Sequence, residues 1–239
     1  YFASPSIETS GGAITWHRHV NHGLSSQVCC LNFLMPLAER PDLLARLVQR
    51  AVGGTLPAMH PVETGPDRRP WYIAFEWIGG NYLNEANLLG GRAPGATATT
   101  AAAFVRFEQD GRKHALLIEW KYTERYNGPL QSKERDGKGG NHTREARYKD
   151  LVFAPFGPVR ASPDLTLRSF FWEPFYQLLR QQMLAFQIEK HEPETRVRVL
   201  HISPRANTRL HDVTAPDLRS RGGDALQVFR SLLVRPDDF

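Results

Sequence analysis

The sequence predicts an α/β domain built on a mixed β-sheet. Three observations predict it: apolar runs at helical spacing near the start, two apolar strands joined by Asp110-Gly111, and a long helical stretch followed by a strand of alternating basic and apolar residues. The order of helices, three strands, long helix, strand and helix suits one α/β domain. Residues 25–239 read as that single domain, and residues 1–24 as an irregular N-terminal segment broken at Gly11-Gly12.

The elements follow in order. Ser25-Ser26 are good capping residues, and SQVCCLNFLM after Ser25 reads as an amphipathic helix that Pro36 stops. Pro41-Asp42 starts a second helix, with Leu43, Leu44, Leu47 and Val48 at helical spacing, ending at Gly53-Gly54. PAMHPVETGPDRRP is expected to be a loop, and WYIAFEWIG (71–79) a strand rich in aromatic and β-branched residues. A short helical turn and a glycine-rich loop are expected over 81–100. Strands at 102–107 and 114–121 then form a hairpin. Residues 127–150 are polar and glycine-containing and read as a mobile loop. Trp172-Glu173-Pro174 opens a long helix to about residue 190, with Pro174 acceptable in its first turn. RVRVLHIS (196–203) has the alternation of a strand exposed on one face, and a last helix covers about 223–234.

Composition is that of a globular chain: 239 residues, 41% hydrophobic and 23% charged. No apolar stretch approaches the roughly 18–20 residues of a membrane span, and no secretory leader opens the sequence. The two cysteines, Cys29 and Cys30, are adjacent, which makes a disulfide between them strained. Buried free thiols and a cytoplasmic location are therefore expected. The net charge of +5 favours a polyanionic partner.

The most informative run is HALLIEWKYTE at 114–124, where an apolar strand ends in Glu119-Trp120-Lys121. Side chains alternate along a strand, so Glu119 and Lys121 share a face about 7 Å apart. A metal-dependent phosphodiesterase uses such a pair: the carboxylate holds a divalent cation and the ammonium stabilises charge on the attacked phosphate. The bland alternative is a surface ion pair, which contributes little. Asp136-Gly137-Lys138 repeats the pattern inside a polar glycine-rich stretch and reads as a solvated loop.

Other candidates carry less. His17, His19 and His22 have possible metal-ligand spacing, but no cysteine or carboxylate stands beside them. GKGG at 137–140 lacks phosphate-loop spacing, and the absence of a G-x-S-x-G elbow argues against serine-hydrolase chemistry. Gln177 and Gln181 lie one helical turn apart with Arg180 nearby, either a solvated stripe or a polar face turned to a site. Arg144, Arg147, Lys149, Arg196, Arg198, Arg205 and Arg209 are candidate phosphate contacts.

Taken together, SSQVCCLNFLMPL (25–37), FEW and YLNE (75–77, 82–85), AAFVRF with LLIEWKYTE (102–124), EPFYQLLRQQMLA (173–185) and the terminal RPDDF resemble a bacterial group of restriction-endonuclease-like proteins in the PD-(D/E)XK nuclease superfamily. The resemblance spans nearly the whole chain from Ser25. It implies a restriction-endonuclease-like core, a mixed central β-sheet flanked by helices, with Mg²⁺ or Mn²⁺ as cofactor and nucleic acid, DNA above all, as substrate. It carries Glu119 over as metal ligand and Lys121 as catalytic lysine. Glu85, ranked first because it lies in the family-like YLNE block, and then Glu76 are the further acids expected to complete the metal site. Gln27 and Gln177 are expected as polar support, and Arg144, Arg147, Lys149, Arg180 and Gln181 as nucleic-acid contacts. A homodimer or additional domains would be compatible with it.

One position departs from the pattern. Relatives resemble T-S-A-D-A-A-F ahead of the hairpin, with Asp as the shared metal ligand, whereas this chain has Ala101 there. Alanine cannot coordinate a cation, and a Mg²⁺ site relies on few protein ligands. The intact Glu119 and Lys121 favour an engineered Asp-to-Ala change over natural loss. The alternative is a non-catalytic nucleic-acid-binding module on a nuclease-like fold.

Overall fold

A computed structural model describes residues 16, 21–65, 67–85, 98–126, 128–130 and 140–239. His17, His19 and the Asp136-Gly137-Lys138 stretch lie outside them. His22 is exposed, and its Nδ1 accepts from the Leu24 backbone N–H at 3.2 Å.

The sheet grows from the hairpin of β5 (Ala101–Gln109) and β6 (Arg112–Trp120). Asp110 and Gly111 both have positive φ, 53° and 72°, the two left-handed residues that a tight hairpin turn needs. The outer edge of β5 pairs antiparallel with β1 (Ala58–His60) along its later half and with β4 (Ala74–Trp77) along its start. On the other side, β6 runs parallel to β7 (Thr195–Ile202), which puts Glu119 beside His201. The crossover between those parallel strands includes α3 (Gly140–Val152) and α4 (Phe175–His191). A separate two-stranded ribbon joins β2 (Glu63–Thr64) to β3 (Pro70–Trp71).

Helices cover both faces. α1 (Ser26–Leu34) and α2 (Pro41–Val52) bury Cys30, Leu31, Leu34, Leu44 and Val48 against Phe75, Val105, Phe107, Leu116 and Ile118. On the opposite face α3, α4 and α5 (Ala225–Leu232) pack Tyr148, Leu179, Met183 and Phe229 over Phe104, Ala115, Leu117 and Val199. This is the expected α/β architecture, a mixed central sheet flanked by helices.

Local signals account for the ends of these elements. The Ser25 hydroxyl caps α1 by accepting from Val28 N, and a 3-10 turn takes over at Met35–Leu37, where Pro36 cannot continue an α-helix. Gly53, with φ 76°, ends α2.

Three expectations need correction. The stretch read as a loop over 57–70 contains β1 and β2, which are two or three residues long and too short to show a period. The strand expected over 71–79 is split into β3 and β4, and Glu76 has φ 51°, which interrupts the alternation so that Phe75 and Trp77 pack on opposite faces. The polar segment read as a loop over 127–150 contains α3, whose buried anchors are Tyr148 and Val152. Its many charged positions hide that narrow apolar face.

β7 also differs in its surroundings. Arg196 and Arg198 do not simply face solvent, because the C-terminal 3-10 turn Pro236–Asp238 folds back and places the fully buried Asp238 carboxylate 2.6 Å from Arg196.

Candidate active site

The chemistry gathers where β6 and β7 end. Leu117 belongs to the core beneath α4 and Ile118 to the core beneath α1, so Glu119 returns to the α4 side. There Glu119 is 4% exposed. A bare carboxylate would not be stable at such a position, and it is not bare. Lys121 Nζ lies 2.5 Å from Glu119 Oε1, the Gln177 amide donates to the same oxygen at 2.6 Å, and the Gln181 amide donates to Oε2. Gln177 and Gln181 are successive turns of α4 facing one carboxylate, so that stripe is turned inward to the site.

Lys121 is itself mostly buried, with 14% of its side chain exposed. Burial works against its charge, yet Glu119, followed by Tyr126 and Glu124, holds its pKa above the ordinary lysine value. The ammonium is therefore permanently charged. Tyr126 donates to Gln177 Oε1 at 3.3 Å. Burial pushes the Tyr126 phenol up, so it remains a neutral donor.

Two further acids feel the same charges. Burial pushes the Glu76 carboxyl up to about 7, with Glu119 raising it further, while a hydrogen bond from Gln27 and the Lys121 charge pull the other way. Burial also raises Glu173, opposed by Lys121. Glu76 and Glu173 thus both feel the charge of the lysine that is paired with Glu119. The segment after Lys121 fixes α1, and with it Gln27, over this centre. Tyr122 N donates to Ser26 Oγ at 3.0 Å, the Ser26 hydroxyl donates to Glu124, and the Thr123 hydroxyl donates to Leu24 O at 2.8 Å.

Ala101 is fully buried in the core beneath α4, the same layer into which Glu119 points. Gln181 connects the two places, since its amide reaches Thr100 O at 3.4 Å as well as Glu119. The β5–β6 ladder ends at Ala103 opposite Ile118, and Ala101 instead pairs with Trp77.

Glu85 stands apart. Its carboxylate accepts from Thr99 N at 2.5 Å, Thr99 Oγ1 at 3.0 Å, Tyr148 OH at 2.5 Å, and Arg180 Nε and Nη2 at 3.0 and 2.8 Å. Both of its oxygens are engaged, and its charged neighbour is Arg180 rather than Glu119 or Lys121. The structure therefore does not bring Glu85 to the Glu119 centre, while it does bring Glu76 there. Arg180 and Gln181, expected at a nucleic-acid surface, are internal: the Arg180 side chain is 15% exposed and Gln181 1%. On α3, Arg144 lies over the Tyr176 ring, Arg147 over the Tyr148 ring, and Lys149 is exposed.

A hard divalent cation takes oxygen donors. Every candidate ligand is oxygen, and the buried Glu173 Oε2, Thr100 Oγ1 and Gln181 Oε1 have no hydrogen-bond partner. Glu76 and Glu119 would supply the carboxylates. Among the described residues no group of three His, Cys, Asp or Glu is placed to hold a metal ion.

Sequence reasoning weighs Glu173 only as part of the polar stripe of the 173–189 helix, solvated or facing the site, and it misses Tyr126 and His201. The first two lie on segments beyond the sheet, and only the tertiary arrangement aims them at Lys121. His201 could have been found from the parallel register with Glu119. Burial, followed by the Lys121 charge, lowers its pKa to about 4, so it is a neutral ring in this centre. Nearby, Ser203 Oγ is 3.1 Å from His211 Nε2, and His211 Nδ1 is 2.9 Å from Asp224 Oδ2. The residue after Ser203 is Pro204, which has no N–H for an oxyanion, and Asp224 Oδ1 caps α5 by accepting from Leu226 N and Gln227 N. That chain of bonds fastens the segment after β7 to α5.

The profile of the family described as "Restriction Endonuclease associating with ARP" matches residues 6–228. No curated protein and no solved structure matches the chain. Among the described residues no helix is long and apolar enough to cross a membrane.

Proposed function

The chain belongs to the restriction-endonuclease family associating with ARP, and on that premise we propose that it is a PD-(D/E)XK-type nuclease hydrolysing phosphodiesters of nucleic acid, most readily DNA. The observation that carries this reading is the buried Glu119 carboxylate held between Lys121, Gln177 and Gln181 at the end of a core strand. A mere surface ion pair has neither the burial nor the amide supports.

In this reading Glu119 and Glu76, with an Asp at position 101, hold Mg²⁺ or Mn²⁺. When bound, the cation acts as a Lewis acid on the phosphoryl oxygen and lowers the pKa of a water. The rest is done by the chain's own groups. Lys121, charged at any working pH, places its ammonium against the non-bridging oxygens where negative charge builds up. Gln177 and Gln181 fix the carboxylate rotamer. The exposed Lys149, with Arg144 and Arg147 on the same helix, offers phosphate contacts that position the strand without reading its bases. Association with a partner of the kind named ARP in the family description is part of the same proposal.

Ala101 stands in this reading where catalysis needs Asp, so the chain as written binds nucleic acid and cuts poorly. The test is Ala101→Asp assayed for plasmid cleavage with Mg²⁺. We expect at least a hundredfold gain, abolished by Lys121→Ala in the same background. No gain, or a gain indifferent to Lys121, favours the second reading, a non-catalytic nucleic-acid-binding module for which Ala101 is the motivating observation.

A further inference from the structure

We propose that Glu85 is a positioning residue: together with Arg180 and Tyr148 it clamps Thr99, beside the Thr100 that Gln181 holds, and so sets where the side chain of residue 101 meets Glu119. The inference rests on the nuclease reading for its consequence, but on separate contacts for its geometry.

The clamp begins with a buried charge. Glu85 is 2% exposed, Thr99 4% and Tyr148 0%. A carboxylate at that depth persists only with partners, and Glu85 has five hydrogen bonds from three different segments. Two of them come from the main chain and side chain of Thr99, two residues before position 101. Arg180 closes the ring, because its Nε also reaches Thr99 Oγ1 at 3.0 Å.

The second half of the argument is adjacency along α4. Arg180 holds Glu85 and Thr99, while the next residue, Gln181, holds Thr100 O and Glu119. One turn of one helix therefore sets the spacing between the start of β5 and the end of β6. Position 101 lies one residue beyond these anchors and is fully buried. A carboxylate there would be held in place from behind by Glu85 without Glu85 touching the cation, as outer partners of metal ligands generally do.

Two measurements test this. The first needs no cation: amide hydrogen exchange on the chain as it stands, compared with Glu85→Gln. Because Arg180 left buried and unpaired would itself weaken the fold, Glu85→Gln/Arg180→Met, which removes both charges, is measured in parallel. Protection at Thr99, Thr100 and Ala101 should fall at least tenfold in both variants, while Leu116, Leu117 and Ile118 of β6 keep theirs. Unchanged protection at 99–101 overturns the clamp, as does a uniform loss across both strands.

The second measurement is Mn²⁺ affinity by calorimetry in the Ala101→Asp background, with and without the clamp substitutions. Losing an outer partner typically weakens metal binding 10–100-fold, and we expect the dissociation constant to rise by at least tenfold. Equal affinities with and without Glu85 overturn the positioning role. If Ala101→Asp with Glu85 intact binds no Mn²⁺, it is the nuclease reading that fails, and the exchange experiment alone then decides the clamp.

Discussion

Glu76→Gln isolates the electrostatics of the candidate site. The Glu76 carboxyl is raised from 4.5 to about 7, by burial first and the Glu119 charge second. Below pH 4.5 folded and unfolded chains both hold the proton. Between 4.5 and about 7 the unfolded chain releases it while the folded chain keeps it, so the native state binds more protons and stability falls as pH rises. At about 1.4 kcal/mol per unit, the loss on passing through that window is on the order of 3 kcal/mol, and about 2 after allowing for the partial exposure of Glu76. Glutamine does not titrate and can still bond Gln27. Urea unfolding of both proteins from pH 4 to 9, without divalent ions, should show the variant close to the parent at pH 4.5. It should become more stable by about 2 kcal/mol above pH 7.5. Parallel stability curves would refute the burial of Glu76 within reach of the Glu119 charge. In the Ala101→Asp protein, added Mg²⁺ should flatten the same slope, since a cation lowers the pKa of the acid it binds.

Gly111→Ala puts a Cβ on a residue at φ 72° in the hairpin turn and should lower stability by about 1 kcal/mol, seen as a lower urea midpoint with unchanged slope. Asp224→Ala removes both the α5 cap and the His211 partner and should cost about 1–2 kcal/mol in thermal unfolding. For Lys149→Ala, binding of a duplex oligonucleotide measured by fluorescence anisotropy across a salt series should show the slope reduced by about one, whatever the base sequence.

What the sequence revealed depended on how much of the signal was local. The hairpin, α1, α2, α4 and β7 could be read because caps, Asp-Gly, and apolar periods lie within each segment. The strands β1 to β3 could not, because a two-residue pairing is decided by whatever lies opposite. Glu119 and Lys121 were legible from alternation at a strand end, and Gln177 and Gln181 from their spacing of one helical turn. The choice between Glu76 and Glu85 was not, since it turns on Arg180 reaching Glu85 from 95 residues away. Arg180 and Gln181 looked like surface chemistry for the same reason: a helix sequence shows which residues share a face but not which way that face is turned.

The parallel pairing of β6 with β7 also has a consequence for how the protein is made. Glu119 leaves the ribosome at the end of a hairpin that can close at once, yet the two amides that bond it arrive 58 and 62 residues later on α4. Until then a carboxylate and an ammonium sit in water at the tip of a half-covered sheet. The centre is complete only when α4 docks on the sheet, not when the hairpin closes, and long-range closure of this kind is slower than local pairing. A nascent chain stalled before residue 177 would present the acid–lysine pair with neither glutamine support, so any nuclease activity is withheld until the second half of the chain has folded over the first.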